Sequence, residues 1–512
     1  MVLVWIGERA YNSWRKNVER MLQGRQSSRK EQLTKGTEMQ RREFIKSGAI
    51  AAGAMAVPNI LRAQGSKARV RMGFIGVGNR GTQLMHIFMK NPLVEVTALC
   101  DIYEPYLKRD ESAYDPKFFE WGLKGRMPSF HQKDGTLKPQ EAALATRIKA
   151  GTCRLYKDYK ALLADPEVDA VCIATPDHWH AIMTIDAIKA GKDVYCEKPL
   201  TATVAEGRAM VNAQKNSRQI VAVGLNRRGN DAYRELKKAI DTGKFGTFRT
   251  GRAARVSNIF PNGIGKCPPC DPPKGMDWDA WLGPRAYRPY KYTTAPYYFR
   301  WHVDFSSQVG NWGVHYLDAM RWMMDERAPC AVTAVGGKYY TGDRSDAEIP
   351  DTMFCLYEFA SGKAMEFNVF EGGRSNPIRQ GELELASGDA TVFADQRGWQ
   401  ILPSKGKEFN NPLNPFEPQK YVFKEALLDD GSAESATRNV IGDFLDRCVD
   451  RNPAVLCTLE EGHRSTCFAH LANIAYKLGR RLEWDADAER FVNCDEANKL
   501  LHYQYRDGYS LG

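Results

Sequence analysis

Two short stretches of this 512-residue chain carry side chains suited to moving a proton. In "CEKPL", Lys198 stands between Glu197 and Pro199. A following proline keeps a residue out of the helical region, so this lysine is aimed by a stiff backbone. In "GNWGVHYLD", Asn311, His315 and Asp318 are spaced i, i+4, i+7 and share one face of a predicted helix over 311–324. Trp312, Tyr316, Met320 and Met323 fall on another face, suited to a core. Desolvation and a neighbouring cation would move a lysine from its ordinary pKa of about 10.4 towards neutrality. Such an amine can take the proton of a hydroxyl while hydride leaves its carbon. Taken alone, a lysine before proline is ordinary surface, and a polar stripe is the wet side of a helix.

The neighbouring motifs favour chemistry. "GFIGVGNRG" places Gly76, Gly78 and Gly81 in G-x-G-x-x-G spacing between an apolar run and a helical pattern. The first glycine allows a tight turn and the second a close approach to a pyrophosphate. The third allows close helix–strand packing, and the phosphates sit on the helix N-terminus. Asn79 and Arg80 lie in the same turn, and Asp101 closes the next strand, where a carboxylate accepts from ribose hydroxyls. The reading is NAD, with NADP open because Arg80 is available to a 2′-phosphate. "TPDHWHA" ends another strand, on the side where ligands of such sheets bind. Thr175, Pro176 and His180 join the candidate coenzyme residues, as do Glu197, Lys198 and, from "VGLNRR", Asn226. His178 is a candidate for coenzyme or substrate, and capping of the next helix is the alternative role for His180.

These motifs need a scaffold, and the chain supplies an alternating one. From Arg69 to Arg228, apolar strand-like runs alternate with helical patterns, interrupted by a polar insertion from about Tyr103 to Gly151. Strands separated by helices imply parallel pairing with right-handed crossovers. Beyond Arg228, period-2 stretches such as "TMFCLYEFASGKAMEFNVF" and "GELELASGDATVFAD" read as antiparallel hairpins. The predicted fold is α/β: a Rossmann-type, doubly wound parallel sheet over 64–226, then an α+β domain with an open, mostly antiparallel sheet over 227–512. Further helices are expected near 437–450 and 460–479.

The formal charge of +10 is unevenly placed. Residues 1–63 hold twelve Lys/Arg and five Asp/Glu, a net +7, which leaves +3 for the rest. No basic stripe stands out in that remainder, so a nucleic-acid partner is not expected. The N-terminal charge belongs to "QRREFIKSGAIAAGAMAVPNILRAQ", with Arg41 and Arg42 ahead of an uncharged stretch from Ser47 to Leu61. That stretch is too short and weak for a membrane span, and it resembles a twin-arginine export signal. Translation from Met39 would place the arginine pair normally, and the mature protein is expected in the periplasm with the twin-arginine export machinery as a partner. Cys100, Cys172, Cys196 and Cys355 sit in apolar runs as core residues. Cys267 and Cys270 in "KCPPCDPP" have no second pair at zinc spacing, so a loop disulfide or free thiols are expected and no metal.

In this order, "GFIGVGNRG", "ATPDHWH", "CEKPLT", "VGLNRR", "DWDAWLGP" and "GNWGVHYLDAMRW" resemble the glucose-fructose oxidoreductase, inositol dehydrogenase and rhizopine-catabolism family (Gfo/Idh/MocA). The resemblance runs from Arg69 to the closing "YRDGYSLG" and is strongest to exported members. It implies a Rossmann domain holding NAD(H) or NADP(H), and a second domain whose sheet often serves a homo-oligomer. It also implies catalytic roles for Lys198 and His315. Where the family's dehydrogenases usually carry an acid, this chain has Asn311, an amide that can orient a hydroxyl or His315 without charge. His315 should then be less basic than in an Asp–His pair. The implied function is oxidation of a sugar, polyol or sugar derivative with a tightly bound coenzyme. Tyr297, Tyr298, Trp301 and Trp312 are offered for stacking on the sugar. A redox-neutral glycoside hydrolase or lyase of the same family is the alternative, and an exported sugar-binding protein without turnover a further one.

Overall fold

The computed structural model describes residues 69–373, 375–404, 416–422 and 432–511. The twin-arginine segment and Met39 lie outside the described residues. Strands β1 (Val70–Ile75), β2 (Val94–Cys100), β3 (Arg154–Tyr156), β4 (Ala170–Ile173), β5 (Asp193–Cys196) and β6 (Val221–Val223) form a parallel sheet. Its order is β3-β2-β1-β4-β5-β6. The order reverses between β1 and β4, the crevice where such sheets bind ligands. Strands β4 to β6 are buried throughout, as a sheet covered on both faces requires.

Helices of eight or more residues are numbered α1 to α8. The first four are α1 (Asn79–Met89), α2 (Pro139–Lys149), α3 (His180–Lys189) and α4 (Val204–Lys215). The last four are α5 (Asp231–Asp241), α6 (Val314–Met323), α7 (Ser432–Asp450) and α8 (Leu459–Leu478). Helix α4 opens on a capping box, in which Thr203 and Glu206 satisfy each other's backbone donors. Inside the insertion, the buried Glu141 of α2 accepts from Arg109 Nε at 3.0 Å and lies 2.6 Å from His86 Nε2. Arg109 Nη1 in turn donates to the Val77 carbonyl at 3.2 Å, so the insertion is tied to the glycine turn itself.

The second sheet begins with β7 (Thr250–Val256), β8 (Ala331–Gly337), β9 (Thr352–Glu358), β10 (Ala364–Phe370) and β11 (Leu383–Ala386). It continues with β12 (Ala390–Asp395), β13 (Gly398–Pro403), β14 (Gln419–Val422), β15 (Leu482–Asp485) and β16 (Arg490–Phe491). The order is β14-β13-β12-β11-β7-β10-β9-β8-β15-β16, and the hairpins expected from period-2 patterning are present. One pair departs from them: β7 and β10 run parallel.

Each sheet carries its own core, yet the two halves of the chain are interwoven. Val440, Ile441, Phe444 and Leu445 of α7 complete the first core rather than the second. The Phe444 ring meets Phe88 edge-on at 6.3 Å and Tyr195 at 6.0 Å. Full burial of such a side chain contributes about 1.5–3 kcal/mol. All twelve cysteines are free thiols, Cys267 and Cys270 included, and Cys100, Cys172, Cys196 and Cys355 are buried as expected. Among the described residues, no helix is long and apolar enough to cross a membrane.

Candidate active site

The glycine turn has the backbone its spacing calls for. Gly76 has φ +80°, and a Cβ there would press on the Ala174 carbonyl at 2.9 Å. A Cβ on Gly81 would run into the Gly76 carbonyl, so only glycine lets α1 start this close to β1. No side chain caps α1, which leaves its N-terminus to a ligand. Asp101 braces the turn from β2, accepting from Val77 N at 2.8 Å and Tyr103 N at 2.9 Å. Burial pushes its pKa up to about 6, against those two hydrogen bonds and the Arg109 charge. A cavity of about 1170 Å³ opens over the turn, lined by Gly76, Gly78, Asn79, Arg80, Asp101, Thr175 and Pro176. The size, the glycine cradle and the carboxylate at the ribose end fit a dinucleotide.

At the next strand end, Lys198 meets the second domain. A wide helical turn at Val309–Gly313 leads into α6, with Gly313 packed directly on the Phe367 ring of β10. Such π-type turns recur at functional sites. Lys198 Nζ donates to the Asn311 main-chain oxygen at 2.8 Å and to its side-chain oxygen at 3.3 Å. Desolvation lowers the Lys198 pKa to about 8; Arg300 and Arg80 add to the fall, while Glu197 and Asp177 oppose it. His315 is buried, with Nδ1 making no hydrogen bond. Burial, then the charges of Arg227, Lys198 and Arg80, hold its pKa well below the ordinary value. The site therefore presents a half-buried amine able to change protonation near neutrality and a neutral imidazole whose Nδ1 makes no hydrogen bond.

Comparison with known proteins then places the chain. A family model described as "Oxidoreductase family, NAD-binding Rossmann fold" matches residues 126–225. A second, "Oxidoreductase family, C-terminal alpha/beta domain", matches 230–343 and 432–511. Together they cover more than half of the chain. The chain belongs to the Gfo/Idh/MocA oxidoreductase family. Levoglucosan dehydrogenase of Pseudarthrobacter phenanthrenivorans is 25% identical over 318 residues, 54% of this chain and 71% of that protein. Inositol 2-dehydrogenase 2 of Saccharopolyspora erythraea is 27% identical over 248 residues, 48% of this chain and 61% of that one, less than two thirds of its length. A solved levoglucosan dehydrogenase in complex with NADH and levoglucosan shares the fold, with TM-score 0.56 and 18% identity over 81% of this chain and 99% of that one.

Within this Gfo/Idh/MocA fold, the candidate residues divide. Gly76, Gly78, Asn79, Arg80, Asp101, Thr175 and Pro176 line the cavity, whereas Gly81, His180, Glu197, Lys198 and Asn226 do not. Arg80, offered to a 2′-phosphate, is held by Glu197, its Nε and Nη2 donating to Oε1 at 3.1 and 2.9 Å. His180 is turned inward, with Nδ1 and Nε2 each 2.9 Å from a carbonyl, those of Pro199 and Thr175. Two acceptors require two N–H donors, and Cys196 and Asp177 overcome burial to push its pKa up to about 10. The ring thus staples two strand-end loops and has no nitrogen left for coenzyme. His178 is buried, donating from Nε2 to the Trp281 carbonyl at 2.9 Å, and burial lowers its pKa to about 3. Asn226 turns its side-chain oxygen to Arg227 Nη1 at 3.2 Å.

The polar stripe is also revised. Asp318 does not reach His315; it is fully buried against Arg228 Nε and Nη2, at 2.9 and 2.8 Å, and Ser465 Oγ at 2.7 Å. Asn311 orients Lys198 rather than His315. The opposite face is the expected core, with Tyr316 stacked on Phe367 and Met320 and Met323 buried. Of the aromatics offered to a sugar, Trp301 is buried and donates to Glu371 Oε2 at 2.8 Å, and Tyr298 donates to the Trp121 carbonyl at 2.7 Å. Trp312 carries the Arg255 guanidinium 3.8 Å from its ring centroid, and Tyr297 carries two arginines. Other cavity walls had no role in the sequence reading: Asp277, Asp279 and Trp281 of "DWDAWLGP", and Tyr505 to Tyr509 of "YRDGY". Both segments were visible as motifs, but nothing in their own residues says that they meet over a glycine turn.

Proposed function

We propose that this protein is an NAD-dependent dehydrogenase of a sugar, polyol or sugar derivative, with Lys198 relaying the proton of the reacting hydroxyl. One observation carries the reading: a desolvated lysine amine, fixed at 2.8 Å on Asn311 and poised near neutrality, stands at the strand end beside the coenzyme cavity. Bound NAD would supply the hydride acceptor. Neutral Lys198 would take the hydroxyl proton, and the His315 imidazole would hold that hydroxyl or a neighbouring one. Asn311 keeps the amine in place without charging it.

Segments from both halves of the chain wall the cavity, which supports a coenzyme that stays bound between turnovers. A retained coenzyme must be reset each cycle, by a second substrate or by re-reduction of the same one, as in a redox-neutral lyase. The twin-arginine segment supports export to the periplasm, where little free coenzyme would be available. Val335, Phe354 and Leu356 are exposed on one sheet face, and this supports burial against a second copy.

The test uses purified protein freed of its leader, denatured to identify released nucleotide, then supplied with sugars and glycosides while nicotinamide absorbance is followed. Lys198→Met should retain the nucleotide and lose turnover by about 10²–10⁴-fold. Wild-type rates from that variant would remove Lys198 from the mechanism. Aglycone release without net absorbance change would select the redox-neutral cycle.

A further inference from the structure

Arg300 and the exposed Arg126 line the cavity, and among the described residues Arg300 is not matched by a carboxylate within ion-pair distance. Arg300 Nη1 donates to the Tyr297 carbonyl at 2.8 Å, and its guanidinium lies 4.4 Å from the ring centroids of both Tyr297 and Phe299. Arg126, from the insertion, lies 5.0 Å from the same Tyr297 ring. Around the same cleft, Arg80 is matched by Glu197 and Arg109 by Glu141. The acids whose fields reach Arg300 are Asp177 and Glu197, and both are already engaged, Asp177 by Ser306 and Glu197 by Arg80. A guanidinium partly withdrawn from water without a counter-charge is costly, and desolvation lowers the Arg300 pKa accordingly. Planar guanidinium groups held by aromatic rings are suited to bidentate recognition of an oxyanion.

Two reactants could bring such an anion. The coenzyme brings a pyrophosphate, but the glycine turn and the uncapped N-terminus of α1 already serve it. Arg300 is not part of that turn, and its charge, like that of Arg80, reaches Lys198. We propose that Arg300, backed by Arg126 through Tyr297, is an oxyanion subsite for the substrate. The preferred substrate is then an acidic sugar, a uronate, aldonate or phosphate ester, and not a neutral one. This rests on the reading of the site as a sugar oxidoreductase and narrows its substrate class.

The experiment is calorimetric titration of the NAD-loaded enzyme with gluco-, galacto- and manno-configured hexoses, their uronates and their 6-phosphates. In at least one matched set, an acidic member should bind about 10- to 100-fold more tightly than its neutral partner. Arg300→Gln should bring that ratio near unity, and Arg300→Lys should restore part of it. Neutral sugars binding as well as or better than the acids in every set would overturn the subsite, as would a ratio that survives Arg300→Gln. So would a loss of NAD affinity in Arg300→Gln with the ratio unchanged, because the anion would then be the pyrophosphate. Turnover is read separately. Acid-selective binding without hydride transfer sinks the dehydrogenase and keeps the subsite, whereas oxidation of neutral sugars alone does the reverse.

Discussion

Lys198, at the end of a strand of the first sheet, and Asn311, in the turn that starts α6, are joined by a 2.8 Å hydrogen bond from amine to main-chain oxygen. The acceptors Asn311 offers are neutral, so this contact holds the amine in place without adding a charge that would fix its proton. With burial and Arg300 lowering its pKa to about 8, Lys198 changes charge within the working range of an enzyme. Alcohol oxidation needs the free amine, so kcat/KM in that direction should rise with pH and level off above about 8. Carbonyl reduction needs the ammonium and should fall over the same interval. A flat profile in both directions between about pH 6 and 9 would remove Lys198 as the titrating group.

Replacing Asn311 by aspartate probes the same contact by adding the charge that is missing. A carboxylate within hydrogen-bond reach favours the ammonium form and shifts a lysine upward by about one unit or more. The oxidation limb of Asn311→Asp should therefore move to higher pH, with slower turnover at neutrality and faster relative rates in alkali. An unmoved limb would place the Asn311 side chain outside the proton path.

Much of this arrangement was legible from the sequence, for reasons that also mark the limits. Apolar runs broken by glycine and spaced by helical patterns have few solutions other than a parallel sheet, so β1, β2 and β4 to β6 followed from local signals. The three-residue β3 was too short and polar to be read. Period-2 stretches announced the hairpins, but the parallel β7–β10 pair could not be read, because pairing direction is settled by distant strands. Helical spacing correctly put Tyr316 and Met320 on a core face. The same spacing misassigned Asp318, since a shared face says nothing of Arg228, ninety positions away, that meets it. His180 failed in the same way: its position suited a ligand, while the carbonyls that occupy it come from loops on either side. Lys198 was legible because proline fixes it at a strand end, whereas Arg300 was not, its importance lying in a partner it lacks.

The Arg228–Asp318 pair now reads as structural, and that is open to measurement. Burial alone would raise the Asp318 pKa, but Arg228 and Arg321 hold it below the usual carboxylate value. A pKa lower in the folded than in the unfolded state adds stability above the ordinary carboxylate range, and that stability is lost as pH falls through the folded value. Asp318→Asn leaves Arg228 buried with its charge partly unmatched, although Glu461 remains beside it. The loss should be about 3–5 kcal/mol by urea unfolding near neutral pH, shrinking towards acid where wild-type Asp318 is itself protonated. A variant as stable as wild type across the range would mean that Glu461 alone suffices.

Retention of the coenzyme can be tested away from the reacting groups, at the segment that ends the cavity wall. Arg506 holds this segment by donating to the Gly283 carbonyl at 2.7 Å and to Asp279 Oδ1 at 2.6 Å. Tyr505 donates to Glu206 at 2.7 Å, and Tyr509 rests edge-on against Trp179 at 5.7 Å. Arg506 makes the bonds that tie the segment to the short helix Trp278–Leu282 and its closing Gly283, so Arg506→Ala should let that wall open while the glycine turn stays intact. Nucleotide should then leave several-fold faster in stopped-flow displacement and be lost on gel filtration. The wild-type protein should keep its nucleotide through the same column. Equal retention by both proteins would mean that the turn and Asp101 hold the coenzyme unaided, and that residues 504–509 only border the cavity.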